Sequence, residues 1–151
     1  MKTLYRWWAS LLFVMIIIQV GFAGYGAFYT AHKIDDSKST PKIITEHGFE
    51  HGFNPHAAFG YIVVLAGLIF LAIGAIAGIG RWRLGRHGLI AGLLIVQVLL
   101  AWIGFAVPAI GFFHPVNALL IFAVTGSVAY ATWREAKLAQ QARPISEPTA
   151  A

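Results

Sequence analysis

Four stretches of the chain carry no Asp, Glu, Lys or Arg: residues 7–31, 57–80, 88–113 and 115–133. A helix crosses the hydrocarbon core of a bilayer in about 20 residues, so each stretch can span it once. The polar positions gather into the segments between these stretches. The pattern predicts an all-α integral membrane protein, an up-down bundle of four transmembrane helices. They are expected over about 7–31, 56–80, 88–107 and 114–133, within a membrane domain of residues 1–139. Residues 32–55 are expected to form an outer loop, and residues 140–151, with two prolines, a disordered tail. Pro108 is expected to end the third helix, leaving 107–113 as a short exit turn. Lys2 and Arg6 ahead of the first run resemble the start of a signal peptide. Its 25 uncharged residues exceed the roughly 7–15 of a signal core, so a retained helix is expected.

Composition supports the bilayer as solvent. Hydrophobic residues make up 58% of the chain and charged residues 11%, against about a quarter charged in soluble domains. There is no cysteine, which excludes disulfides and thiolate metal sites. The net charge of +5 is not a nucleic-acid signal, because its distribution has another meaning. Eight basic residues (Lys2, Arg6, Arg81, Arg83, Arg86, Arg134, Lys137 and Arg143) fall in segments on one side of the predicted bundle. Lys33, Lys38 and Lys42 fall on the other, offset by Asp35, Asp36, Glu46 and Glu50. The positive-inside rule then puts both termini in the cytoplasm of a multi-pass cell-membrane protein. Trp7, Trp8, Tyr25 and Tyr29 sit near the ends of the first run, where aromatic belts form.

Five of the six histidines lie on the outer side: His32, His47, His51, His56 and His114. His87 is inside, beside Arg86, and is expected at the interface. His56 and His114 are matched in position. Asn54 suits a cap of the second helix and Pro55 its first turn, while Pro115 suits the first turn of the fourth with His114 at its cap. The second and fourth helices run parallel and lie diagonally across an up-down bundle, so both imidazoles open toward one central volume. Gly60, Gly67, Gly74 and Gly78 follow His56 at spacings of 4, 7, 7 and 4, which keeps them on its face. Small residues mark a face that packs closely on other helices or on a flat ligand. Ala118, Thr125 and Gly126 form a weaker stripe below His114.

Two readings of the pair follow: imidazoles resting in the headgroup region, or two ligands to one metal. Imidazoles without thiolate suit haem iron, copper or zinc. A haem is flat and apolar and takes axial ligands from both sides, and Gly60 and Gly67 would leave room for its face. Its propionates would reach Lys33, Lys38, Lys42 or the outer histidines. Copper or zinc would need more ligands, which His47, His51, Glu46 and Glu50 of the repeat EHGFEHGF at 46–53 could supply. The repeat also reads as a solvated loop, since its two glycines weaken a helix. Gln19, Gln97 and Asn117 are the polar residues expected to hydrogen-bond inside the bundle, with Asn117 placed to orient His114. No carboxylate lies inside a span, which argues against a proton-coupled transporter, and no Ser-His-Asp or HExxH arrangement is present.

The contexts PHAAFGY around His56 and HPVNALLIF after Phe113, on four helices, resemble one four-helix half of haem A synthase. They also resemble small four-helix bacterial membrane proteins of an uncharacterised family. The resemblance implies that His56 and His114 are axial haem ligands. Haem A synthase carries a carboxylate where this chain has Phe53, often a cysteine pair in its first outer loop, and a second half. These departures turn the expectation from an enzyme to a carrier of haem b that transfers electrons. The expected partners are the lipid bilayer, quinol or another redox partner, and a second copy of the chain or a larger membrane complex; nucleic acid is not expected. The alternatives are a non-enzymatic accessory or scaffold subunit without cofactor, and a metal-handling protein using the outer histidines.

Overall fold

The computed structural model describes residues 2–36 and 38–142. Among them every regular element is helical: α1 (Lys2–Asp35), α2 (Pro41–His47), a π-helical turn (Gly48–Phe53), α3 (Asn54–Ile76), α4 (Arg81–Ala106), α5 (Pro108–Gly111) and α6 (Phe113–Gln141). Four continuous spans are long and apolar enough to cross a membrane: Thr3–Asp35, Pro41–Ile76, Arg81–Ala106 and Pro108–Gln141. Their outward faces carry large apolar side chains such as Phe28, Leu65, Trp102 and Leu119. In water those faces would be a liability; in lipid they are solvated.

α1 packs on α3 and α6, and α4 packs on the same two helices. The bundle is therefore a square ring in which α3 and α6 are diagonal partners, as the pattern predicts. Its core is a column of apolar side chains that includes Leu12, Ile16, Val63, Phe70, Ile90, Leu94, Ile121 and Val128. The reversal between α3 and α4 takes four residues, and Gly78 and Gly80 adopt φ of 60° and 88° there. Side chains with a Cβ resist that left-handed region, so glycine makes the tight turn possible. Pro108 acts as expected. It forces Val107 into an extended conformation at φ −131° and ψ 91°, which ends α4.

The segment expected as an outer loop is mostly helix. α1 continues to Asp35, and α2 begins at Pro41 under a Thr40 cap whose hydroxyl accepts from the Ile43 amide. The chain then runs through the π turn directly into α3. Asn54 is consequently not a cap; its amide donates to the Phe49 carbonyl five residues back. Pro55 explains the wider turn. A proline inside a continuous helix lacks an N–H and crowds the preceding turn, and a π turn relieves both.

The glycines of EHGFEHGF serve this geometry. Gly48 and Gly52 are buried against α1, where an added Cβ would meet Thr30 at 3.0 Å and the Gly26 carbonyl at 3.1 Å, respectively. Gly26 and Thr30 are four apart on α1, as Gly48 and Gly52 are on the facing segment. The contact is a pair of small-residue ridges that lets two backbones approach closely. The loop expectation failed because glycine's helix cost is a local property and this packing is not. At the other end of the chain, the tail expected from residue 140 is still helical at Gln140 and Gln141, and its remainder from 143 lies outside the described residues.

Candidate functional site

His56 and His114 meet across the diagonal. Their ring centroids are 6.1 Å apart with ring planes at 67°. Each sits in the first turn of its helix, α3 or α6, and each is anchored to the neighbouring antiparallel helix. His56 Nδ1 lies 3.1 Å from the main-chain carbonyl of Gln19 on α1. His114 Nδ1 lies 3.1 Å from the main-chain carbonyl of Gln97 on α4. A carbonyl only accepts, so in both rings Nδ1 carries the proton and donates. Nε2 is then the lone-pair nitrogen in both, the form in which imidazole binds a metal. The Gln19 amide supports this assignment: it donates to the His56 carbonyl at 2.8 Å and lies 3.4 Å from His56 Nε2.

The two halves are built alike, a glutamine on an ascending helix fixing a histidine on its descending neighbour. The α4/α6 half has a further brace. Asn117 is buried and donates to the Leu93 carbonyl at 2.9 Å and to Gln97 Oε1 at 2.7 Å. It therefore acts on His114 through α4 rather than by touching the imidazole. Replacing Asn117 with leucine is expected to cost on the order of 1 kcal/mol, the size of interhelical hydrogen bonds in membranes. A thermal scan in detergent checks it, and a midpoint unchanged from the native protein would contradict the brace.

Three glycines of the stripe are filled by neighbouring side chains, while Gly78 lies past the end of α3 in the turn, with nothing within 4 Å. A Cβ at Gly60 would meet Gln19 Nε2 at 3.0 Å, at Gly67 it would strike Leu94, and at Gly74 it would strike the His87 ring. Gly60 thus admits the amide that holds His56. Gly67 and Gly74 admit α4, and the part of the stripe expected to face a flat ring instead brings helices together.

His87 departs from its expected interfacial position. It is 1% exposed, its ring centroid is 4.1 Å from that of Phe70, and its Nε2 pairs with Tyr5 Oη at 2.9 Å. Adjacency to Arg86 hid this, because a single step of about 100° around a helix is enough to turn from an outward side chain to an inward one. Tyr5→Phe would strip His87 of its one hydrogen-bond partner. A loss of about 1–3 kcal/mol is expected from the buried ring left unpaired, read as a lowered thermal midpoint.

Two cavities open at this arginine-bearing end, of about 620 and 230 Å³, and share Tyr5, Arg83, Thr132 and Glu135 in their walls. The Arg83–Glu135 ion pair, at 2.9 Å, stands between them. They lie at the opposite end of the bundle from the matched imidazoles. Trp8 at this end also turns inward, donating to the Ala66 carbonyl at 3.0 Å, while Trp7 and Trp133 pack edge to face.

Of the remaining outer histidines, His32 is exposed. His47 and His51 share a helical face, with ring centroids 5.3 Å apart. Glu46 pairs with Lys42 at 3.7 Å, which takes it toward solvent. Among the described residues no group of three or more His, Cys, Asp or Glu side chains is placed to hold a metal ion.

The fold and the paired imidazoles define a class: a four-span, all-α membrane protein with two carbonyl-anchored histidines facing each other across its bundle. Compared with known protein families, curated proteins and solved structures, the chain matches none.

Proposed function

We propose that this protein holds a b-type haem between His56 and His114 and transfers electrons one at a time. The observation that carries the reading is the matched anchoring of the two rings, each with Nδ1 on a carbonyl and its lone pair on Nε2; at His56 that lone pair faces the Gln19 amide at 3.4 Å, a contact the iron would replace. The spacing agrees with it. Two imidazoles on opposite sides of one ion, at nitrogen–metal distances of about 2.0 Å, have centroids roughly 6 to 6.5 Å apart, and these lie 6.1 Å apart. The donor set agrees too, since neutral nitrogen ligands without thiolate suit haem iron. The sequence resemblance to one half of haem A synthase points to the same two residues.

A haem held by His56 and His114 would supply one-electron transfer. The chain's own residues do the rest. Gln19 and Gln97 fix the tautomer and orientation of the imidazoles, and a hydrogen bond to Nδ1–H raises the basicity of the ligand nitrogen. Asn117 holds Gln97 in place. Phe22 and Phe59, in edge contact at 5.4 Å, help to cover the α1/α3 side of the site. With Arg6, Arg81, Arg83, Arg86, Arg134 and Lys137 at the opposite end, the positive-inside rule favours the pair near the outer face of the cell membrane and the termini in the cytoplasm. A quinol or an external redox partner is what this position suits.

The test is the optical spectrum of the full chain purified after expression with ample haem supply. A sharp Soret band, and an α-band that appears on reduction, are expected. A folded, colourless protein would reject the reading in favour of an accessory subunit whose histidines serve packing alone.

A further inference from the structure

We infer that the outer segment carries a second metal site, in which His47 and His51 chelate one divalent ion of the zinc or copper class. The two residues are four apart on a continuous helical segment, the last residue of α2 and the middle of the π turn. Their rings are set edge to face at 80° with centroids 5.3 Å apart. Two imidazoles bound to one tetrahedral ion, at nitrogen–metal distances of about 2.0 Å, have centroids roughly 5 Å apart. The pair at His56 and His114 is wider, at 6.1 Å, and suits ligands on opposite sides of an ion. By centroid separation the outer pair matches ligands at neighbouring coordination positions.

The backbone under the outer pair is fixed. Gly48 and Gly52 lock the turn against Gly26 and Thr30 of α1, so the chelating face does not depend on a mobile loop. Tyr29 packs edge-on against His51 at 6.3 Å and limits the swing of that ring. The surroundings favour a cation. Residues 32–55 hold three lysines against Asp35, Asp36, Glu46 and Glu50, a net charge of −1. Lys42 is partnered by Glu46, and Lys33 lies over the Tyr29 ring, 5.8 Å from its centroid. His51 is exposed and His47 half-buried, so the ion reaches them from solvent, and water completes the sphere. Imidazole donors on a helix face at this spacing prefer copper and zinc over the harder magnesium and calcium. An ion there would tie α2 to the π turn and stiffen the entry to α3, five residues before His56.

The experiment is a calorimetric titration of Zn²⁺, with Mg²⁺ as control, into the full chain in detergent without a polyhistidine tag. One Zn²⁺ per chain is expected, with no Mg²⁺ response. His47→Gln and His51→Gln should each weaken Zn²⁺ binding by roughly tenfold or more through loss of one of two chelating imidazoles, with unchanged helical content by circular dichroism. His32→Gln should leave binding as it was. With Cu²⁺, paramagnetic resonance should show coupling to two nitrogens, falling to one in either single variant. Binding should persist in the His56→Ala/His114→Ala double variant, and the haem spectrum should persist in the His47→Gln/His51→Gln double variant, so each site stands or falls alone. No Zn²⁺ binding by the native chain would overturn the inference, as would equally tight binding by the His47→Gln/His51→Gln chain.

Discussion

Replacing either His56 or His114 with alanine is expected to abolish the Soret and α-bands of the purified protein. Each Nδ1 is committed to a carbonyl on the neighbouring helix, so each ring offers a single nitrogen and neither can substitute for the other. Both rings are part-buried, and no third side chain of the His, Cys, Asp or Glu type joins them among the described residues. Loss of one ring would therefore remove one of the two protein ligands proposed for the haem. A retained, low-spin spectrum in either variant would show that the iron is held elsewhere. The conservative control is Gln19→Leu. It removes the amide that bonds the His56 carbonyl but leaves the main-chain acceptor of His56 Nδ1, so the bands should survive while haem is lost faster to a competing apoprotein. A two-ligand site held by both glutamine carbonyls predicts this split between the alanine and leucine variants; an interfacial histidine pair predicts none.

Gly26→Ala is expected to destabilise the protein by about 1–3 kcal/mol, the usual cost of overpacking a close contact. A methyl at Gly26 would sit 2.8 Å from Phe53 Cδ1 and 2.9 Å from the Gly52 carbonyl oxygen. The phenyl ring can turn aside, but the carbonyl belongs to the backbone of the π turn and can yield only if the turn moves off α1. That displacement would also shift His56, so haem affinity should fall together with stability. Gly24→Ala on the same helix is the control. Its added Cβ has no neighbour within 4 Å, and alanine is the better helix former by about 1 kcal/mol. The two substitutions are chemically identical and two residues apart, yet should move the thermal midpoint in opposite directions. Equal midpoints for both variants would refute the small-residue contact between α1 and the EHGFEHGF segment.

The same segment shows where reading residues in order stops being sufficient. EHGFEHGF resembles a loop because glycine disfavours helix locally, and the benefit that reverses the balance comes from Thr30 and Gly26 on another helix. Pro55 resembles a helix start, and becomes an interior residue because the π turn before it absorbs its steric demand. His87 resembles an interfacial residue beside Arg86, and is instead a core ring stacked on Phe70 and bonded to Tyr5. The glycine stripe following His56 was legible as a close-packing face. Which neighbour fills it was not, because Gln19, Leu94 and His87 come from two other helices.

By itself the sequence determined the number of spans, their up-down order, the diagonal placement of α3 and α6, the break at Pro108 and the matched level of His56 and His114. These follow from local quantities: uncharged length against bilayer thickness, proline's missing N–H, and the antiparallel sequence of short connections. Only the tertiary structure decided which nitrogen of each imidazole carries the lone pair. That depends on the carbonyls of Gln19 and Gln97, residues 37 and 17 positions away in the chain. A carbonyl is present on every residue, so composition cannot single one out; the packing of α1 on α3 and of α4 on α6 does.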